Sequence, residues 1–156
     1  MKYKLTANTK DHNSITLHQI QALKSFGNVK EGDLGGWIEK ESNLSQEDNC
    51  WVYGNARVFE NARVYGDAKV SGNARVFENA RVYGNTLVYG NARVFENARV
   101  YGNAWVSENA LVYGNALVYG KVWVRGDAKV SGNAKVSEKH HILSIPDLKY
   151  NLAITP

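Results

Sequence analysis

Every sixth residue from Val52 to Val136 is valine, fifteen in an unbroken series. Two positions before each valine stands a small or modest apolar residue: twelve alanines from Ala56 to Ala134, with Cys50, Thr86 and Val122 in the remaining three places. The positions between are polar or aromatic. The unit reads Asn-Ala-Arg-Val-Tyr-Gly, with Phe-Glu often replacing Tyr-Gly. Side chains alternate across a strand, so Ala and Val share one face and Arg and Tyr the other. The Gly-Asn or Glu-Asn pair that follows reads as a corner, since Gly adopts positive φ freely and Asn tolerates it. A short fixed period of this kind marks stacked coils. Three strands and three corners close a triangle in 18 residues, so the fifteen hexads predict five coils. At about 4.8 Å per coil the prism is roughly 24 Å long.

Alanine and valine together fill a narrow triangular interior. Burying one valine is worth about 1.5–3 kcal/mol before entropy is counted, and branching at Cβ suits strand geometry. Lys121, Val122 and Arg125 interrupt the usual columns, which predicts a local bulge near 121–125. Upstream, Ile38, Leu44 and Cys50 are six apart and read as a backward continuation of the alanine column, with Lys40 and Gln46 in the valine column. Residues 37–50 are therefore expected to form a degenerate first coil of a body spanning 37–138. Residues 1–36 lack the hexad. Lys2–Thr6 and Ser14–Ile20 alternate loosely, as for a hairpin around Asn8–Asn13, and Gln19–Phe26 reads equally as strand or short helix. Gly27-Asn28 and the run from Gly32 to Gly36 mark turns. An open coil end needs covering, so 1–36 is read as an N-terminal cap. After Val136 the regular unit stops. Residues 139–156 carry Ile142, Leu143, Ile145, Leu148, Tyr150, Leu152 and Ile154, and read as a capping tail or an arm to a neighbouring subunit.

The hexads resemble the hexapeptide-repeat, left-handed parallel β-helix superfamily over about 87 residues, Cys50 to Val136. The left hand is what the resemblance implies. A second resemblance lies in Ala22-Leu23-Lys24-Ser25-Phe26-Gly27-Asn28-Val29-Lys30, Gly32-Asp33-Leu34-Gly35-Gly36-Trp37-Ile38-Glu39, Asn43-Leu44-Ser45 and Cys50-Trp51-Val52. These stretches are similar to the openings of phage, prophage and enterobacterial proteins named hexapeptide transferases or polymer-forming cytoskeletal proteins. That similarity implies a cytoplasmic protein of phage or bacterial origin. Such names rest on the fold, and a fold does not carry a function with it.

Composition narrows the class. The chain is long enough for one repeat body with small caps, and no apolar run approaches the roughly 20 residues of a membrane span. Met1-Lys2-Tyr3-Lys4 lacks the apolar stretch of a secretion signal. The single cysteine excludes an intramolecular disulfide and fits a reducing compartment. Cys50 reads as a buried small residue rather than a nucleophile. Net charge is +4. Residues 1–50 hold 6 basic and 7 acidic residues against 11 and 7 in residues 51–138, so the prism is mildly basic.

The 18-residue coil sorts outward residues into three faces. One carries Arg57, Arg75 and Arg93, Phe59, Phe77 and Phe95, and Glu60, Glu78 and Glu96, which reads as stacked aromatics and Arg–Glu pairs on a solvent face. The second carries Arg63, Arg81 and Arg99 with Tyr65, Tyr83, Tyr101 and Tyr119 and glycine corners. Basic residues interleaved with aromatics suit single-stranded nucleic acid or an acidic protein, although a flat face lacks a groove. The third carries Trp51, Lys69, Leu87, Trp105 and Trp123. In the fourth coil Leu111 and Leu117 replace arginines beside Tyr113 and Tyr119, giving an apolar belt over 105–123. Patches of that extent mark contacts. Trp51, Leu87, Trp105, Leu111, Tyr113, Leu117, Tyr119 and Trp123 are therefore the candidate protein interface.

Catalytic chemistry is poorly provided for. The superfamily's acyltransferases use a histidine base and its carbonic anhydrases three histidine ligands, but here His12, His18, His140 and His141 are the only histidines. Adjacent His140 and His141 on an extended chain face opposite ways. There is no phosphate loop or nucleophile elbow, so no catalytic residue, cofactor or metal site is assigned. The resulting expectation is a non-enzymatic binding module of phage type that blocks a host protein, with a protein partner or a dimer or trimer of itself. The alternatives are a homotrimeric acyltransferase with His18 or His140 as base, and a nucleic-acid binder using Arg63, Arg81 and Arg99.

Overall fold

The computed structural model describes residues 1–137 and the backbone of 141–143. It is a parallel β-helix whose rungs are two-residue strands of the type Arg57–Val58. Three sheets form the three sides. One continues Arg57, Arg75, Arg93, Leu111 and Lys129 in parallel register. The second continues Arg63, Arg81, Arg99, Leu117 and Lys135. The third continues Trp51, Lys69, Leu87, Trp105 and Trp123. The alanine and valine columns are buried throughout. Register runs without a shift through 121–125, where Trp123 pairs with Trp105, so the expected bulge does not form. Val122 is tolerated because it fills the alanine column facing inward and is 2% exposed.

The N-terminal residues build onto this prism rather than lying apart from it. β1 (Tyr3–His12) and β2 (Ile15–Ala22) form an antiparallel hairpin closed by Asn13 and Ser14, both at positive φ. β3 (Leu34–Ile38) pairs antiparallel with β2 and parallel with Arg57–Val58, so hairpin and prism share one sheet. Gly35 lies where a Cβ would come within 2.7 Å of the Val52 carbonyl oxygen, so only glycine lets β3 pass this close.

Residues 37–50 do form a coil, but not in the columns the spacing suggests. Ile38 pairs with Val58 and Leu44 bridges to Val64, so both stand in the valine column, not the alanine column. From Leu44 to Val52 the chain takes eight residues where regular coils take six, a two-residue insertion. An even insertion preserves which side chains point inward. The larger Ile and Leu side chains belong at the roomier valine site. Buried Asn43 ties the coil down: its Oδ1 accepts from the Glu39 and Lys40 N–H groups, and its Nδ2 donates to the Glu60 and Ala62 carbonyls. At the other end, His141–Leu143 pairs with Trp123–Arg125 in the same 18-residue register, so the coil continues one side past Val136. The rest of the expected tail, 139–140 and 144–156, lies outside the described residues.

The corners also differ in detail. The positive φ falls on Gly or Glu, as at Gly84 (φ 73°) and Glu78 (φ 57°), and not on the Asn that follows. The asparagines instead form side-chain ladders, Asn61 to Asn79 to Asn97 and Asn73 to Asn91 to Asn109, at 3.3–3.5 Å.

Candidate functional site: the three ladder faces

On the first face the rings of Phe59, Phe77, Phe95 and Tyr113 stack nearly parallel at 4.9–5.1 Å. The hairpin crosses the top of this ladder. His12 lies 4.9 Å from Phe59, which is consequently buried, and Arg57 Nη1 donates to His12 Nδ1 at 2.6 Å. Lys10 sits over the Trp37 ring. The expected Arg–Glu pairs are absent among the described residues. Glu60, Glu78 and Glu96 line up as like charges at the corner, and the Glu78 carboxyl is pushed up by burial and then by Glu96 and Glu60. Burial and the neighbouring Arg93 and Arg57 likewise hold Arg75 below the usual arginine value.

On the second face Arg63, Arg81 and Arg99 are exposed. Tyr65, Tyr83, Tyr101 and Tyr119 stack at 4.7–5.0 Å with interplanar angles of 2–5°. Stacked in this way, the inner rings spend both faces on each other and show only edges to solvent. Binding of a single strand uses ring faces as base platforms, and this ladder offers those only at its ends.

On the third face the two terminal tryptophans part company. Trp51 is 1% exposed and cannot be the interface residue its column suggested. The N-terminal hairpin and the turn after it cover it, with Tyr3 at 6.1 Å and Phe26 at 5.2 Å, both edge-on. Trp105 is 42% exposed. Trp123 packs edge-on to it at 5.7 Å and donates its indole N–H to the buried Ser107 hydroxyl at 2.6 Å. Serine in place of the tyrosine that occupies this column at Tyr53 and Tyr89 gives Trp123 room to fold back. Arg125 stacks on the Trp123 ring at 4.3 Å. The two indoles, Val122, Asn85, Asn103 and Lys121 line a largely apolar cleft of about 420 Å³. Leu87, Leu111, Tyr113, Leu117 and Tyr119, spread over the three sides, are half-buried.

Two histidines, His12 and His18, are on the hairpin, and the backbone of His141 pairs with Trp123. His12 is held by Arg57 and Phe59, and His18 Nδ1 lies 3.4 Å from the Thr6 carbonyl. Among the described residues no group of His, Cys, Asp and Glu could hold a metal. Lys2 was not foreseen: its ammonium is buried, donating to the Glu47, Asp48 and Cys50 carbonyls at 2.9–3.2 Å and lying 3.4 Å from the Cys50 sulfur. Burial lowers the Lys2 pKa and raises that of Cys50, which makes Cys50 an inert thiol.

Comparison with known proteins adds a relationship. The family model described as YdcK Beta solenoid repeat matches residues 52–66, 68–84, 92–108, 98–113 and 110–126. A relative in Escherichia coli (strain K12), named "Uncharacterized acetyltransferase YdcK", is 38% identical over 60 residues. The match covers 38% of this chain and 18% of that protein, so this chain spans less than a fifth of the relative's length. The repeat matches and the in-register coils fit a hexapeptide-repeat β-helix.

Proposed function

We propose that the chain is a binding module that presents its fourth-coil belt to a protein partner. The observation that carries this reading is Trp105, a large apolar side chain 42% exposed beside an apolar cleft. Large aromatics set in such clefts are the usual anchors of protein interfaces. Leu111 and Leu117 extend the belt where the coils above carry arginine. In its sharpest form the partner is a host protein blocked by a phage or prophage product acting in the bacterial cytoplasm; the opening-stretch resemblance supports that form. Self-association as a dimer or trimer uses the same belt.

Affinity capture from nuclease-treated bacterial lysate tests the reading, with the native mass measured alongside. The expected result is a stoichiometric protein captured by the wild type and lost with Trp105→Arg and Leu117→Arg, both of which keep the wild-type melting temperature. Retention of the same partner by both variants overturns it.

A second reading, acyl transfer, is favoured by the name of the Escherichia coli relative. It requires a base: His12 and His18 lie on the hairpin, and His141 lies on the strand that continues the coil beside Trp123. A trimeric mass with saturable acyl-CoA binding and no captured protein would establish it in place of the first.

A further inference from the structure

The tyrosine ladder stops at Tyr65, and a single small residue stops it. On the phenylalanine face the first ring is covered by another aromatic, His12 on Phe59. On the tyrosine face Tyr65 stacks on Tyr83 at 4.7 Å, and among the described residues no ring lies on its other side. The column position above it belongs to Ser45. The Ser45 N–H donates to the Val64 carbonyl as the Tyr65 N–H donates to Val82 one coil below. A hydroxymethyl group thus stands where the lower coils carry a phenol.

The vacated rung is a cleft of about 540 Å³ lined by Ser42, Ser45, Gln46, Tyr65, Arg63 and Arg81, with Glu41 also on its wall. The Gln46 amide is fixed by the hairpin: its Oε1 accepts from the Lys2 and Tyr3 N–H groups, and its Nε2 donates to the Tyr3 carbonyl. Both arginines are exposed and free of ion pairs among the described residues. Two guanidinium groups against one carboxylate leave the cleft suited to a single negative charge. Guanidinium pairs with carboxylate through two parallel hydrogen bonds, and a ring laid on Tyr65 gains the offset stacking the ladder already uses.

We propose that this cleft binds a small planar aromatic carboxylate, its ring completing the ladder on Tyr65 and its carboxylate paired with Arg63 and Arg81. The site lies on a different face and coil from Trp105, so it stands independently of the binding-module reading.

Calorimetric titration of the full chain with para-hydroxybenzoate tests it. Para-hydroxybenzyl alcohol serves as the probe without charge and acetate as the probe without a ring. The expected result is saturable binding of para-hydroxybenzoate, at least about tenfold tighter than either control, as loss of one charge-assisted pair implies. Ser45→Tyr should fill the rung and abolish binding, while Ser45→Ala keeps it. Arg63→Gln should weaken it about tenfold. Circular dichroism and the melting temperature confirm that each variant is folded. Equal binding of acetate, unchanged binding by a folded Ser45→Tyr variant, or binding of none of the probes overturns the proposal.

Discussion

His12 and Phe59 lie ring to ring at 4.9 Å, so the hairpin tip closes the phenylalanine ladder with an imidazole. Arg57, which can only donate, hydrogen-bonds His12 Nδ1, so that nitrogen carries no proton. Burial, then Arg75, Arg57, Lys10 and Arg93, hold the His12 pKa below its ordinary value of 6.5. The unfolded chain therefore takes up a proton as pH falls through 6.5 while the folded chain resists it. Stability from this group is present above 6.5 and declines below it, down to the lowered folded value. Melting temperatures at roughly pH 7.5 and pH 5 should differ for the wild type more than for His12→Phe, which keeps the ring and loses the titration. Equal differences would remove His12 from the acid response.

The two tryptophans of one column should behave oppositely. Trp51→Ala removes a buried ring packed on Tyr3 and Phe26 and should destabilise by about 3–5 kcal/mol. Trp105→Ala, from an exposed site, should stay within roughly 1 kcal/mol of wild type. Urea titration of the two variants checks the contrast.

Corner residues offer a stabilising change and a destabilising one. Glu78 holds φ 57° between like-charged neighbours, so Glu78→Gly should gain on the order of 1 kcal/mol. Gly84→Ala should lose more than that, because its Cβ would meet the Gly102 carbonyl oxygen at 2.9 Å while φ stays at 73°. Thermal unfolding should raise the midpoint for the first and lower it for the second.

Lys2 donates to three carbonyls, of which that of Cys50 is buried and those of Glu47 and Asp48 partly so. Lys2→Met keeps the stem and leaves those acceptors without a donor, which should cost about 1–3 kcal/mol. Hydrogen exchange at the Cys50 and Trp51 amides should quicken ahead of the lower coils.

The sequence carried the prism in full, because a column of valine at fixed spacing has one compact solution. It misled where the spacing and the chemistry disagreed. Ile38 and Leu44 keep the interval of the alanine column, but their bulk belongs in the valine column, and a two-residue insertion restores the phase before Trp51. The burial of Trp51 was hidden because its covers, Tyr3 and Phe26, come from segments with no periodicity. The vacancy above Tyr65 is visible only once Ser45 is placed in the same column, which the misread phase prevented. The outward direction of Trp105 and of the belt leucines could be read directly, since outward residues in an unbroken repeat follow from counting.

Each regular coil is hydrogen-bonded only to the coil before and the coil after, and each carries the same three faces in the same order. Removing one 18-residue stretch, such as 75–92, would bring Arg57 directly onto Arg93 with every inward and outward residue preserved. The body thus behaves as a measuring rod graduated in coils. Duplication or loss of one repeat in the gene would move the leucine–tryptophan belt nearer to or farther from the hairpin by one graduation, without redesigning either.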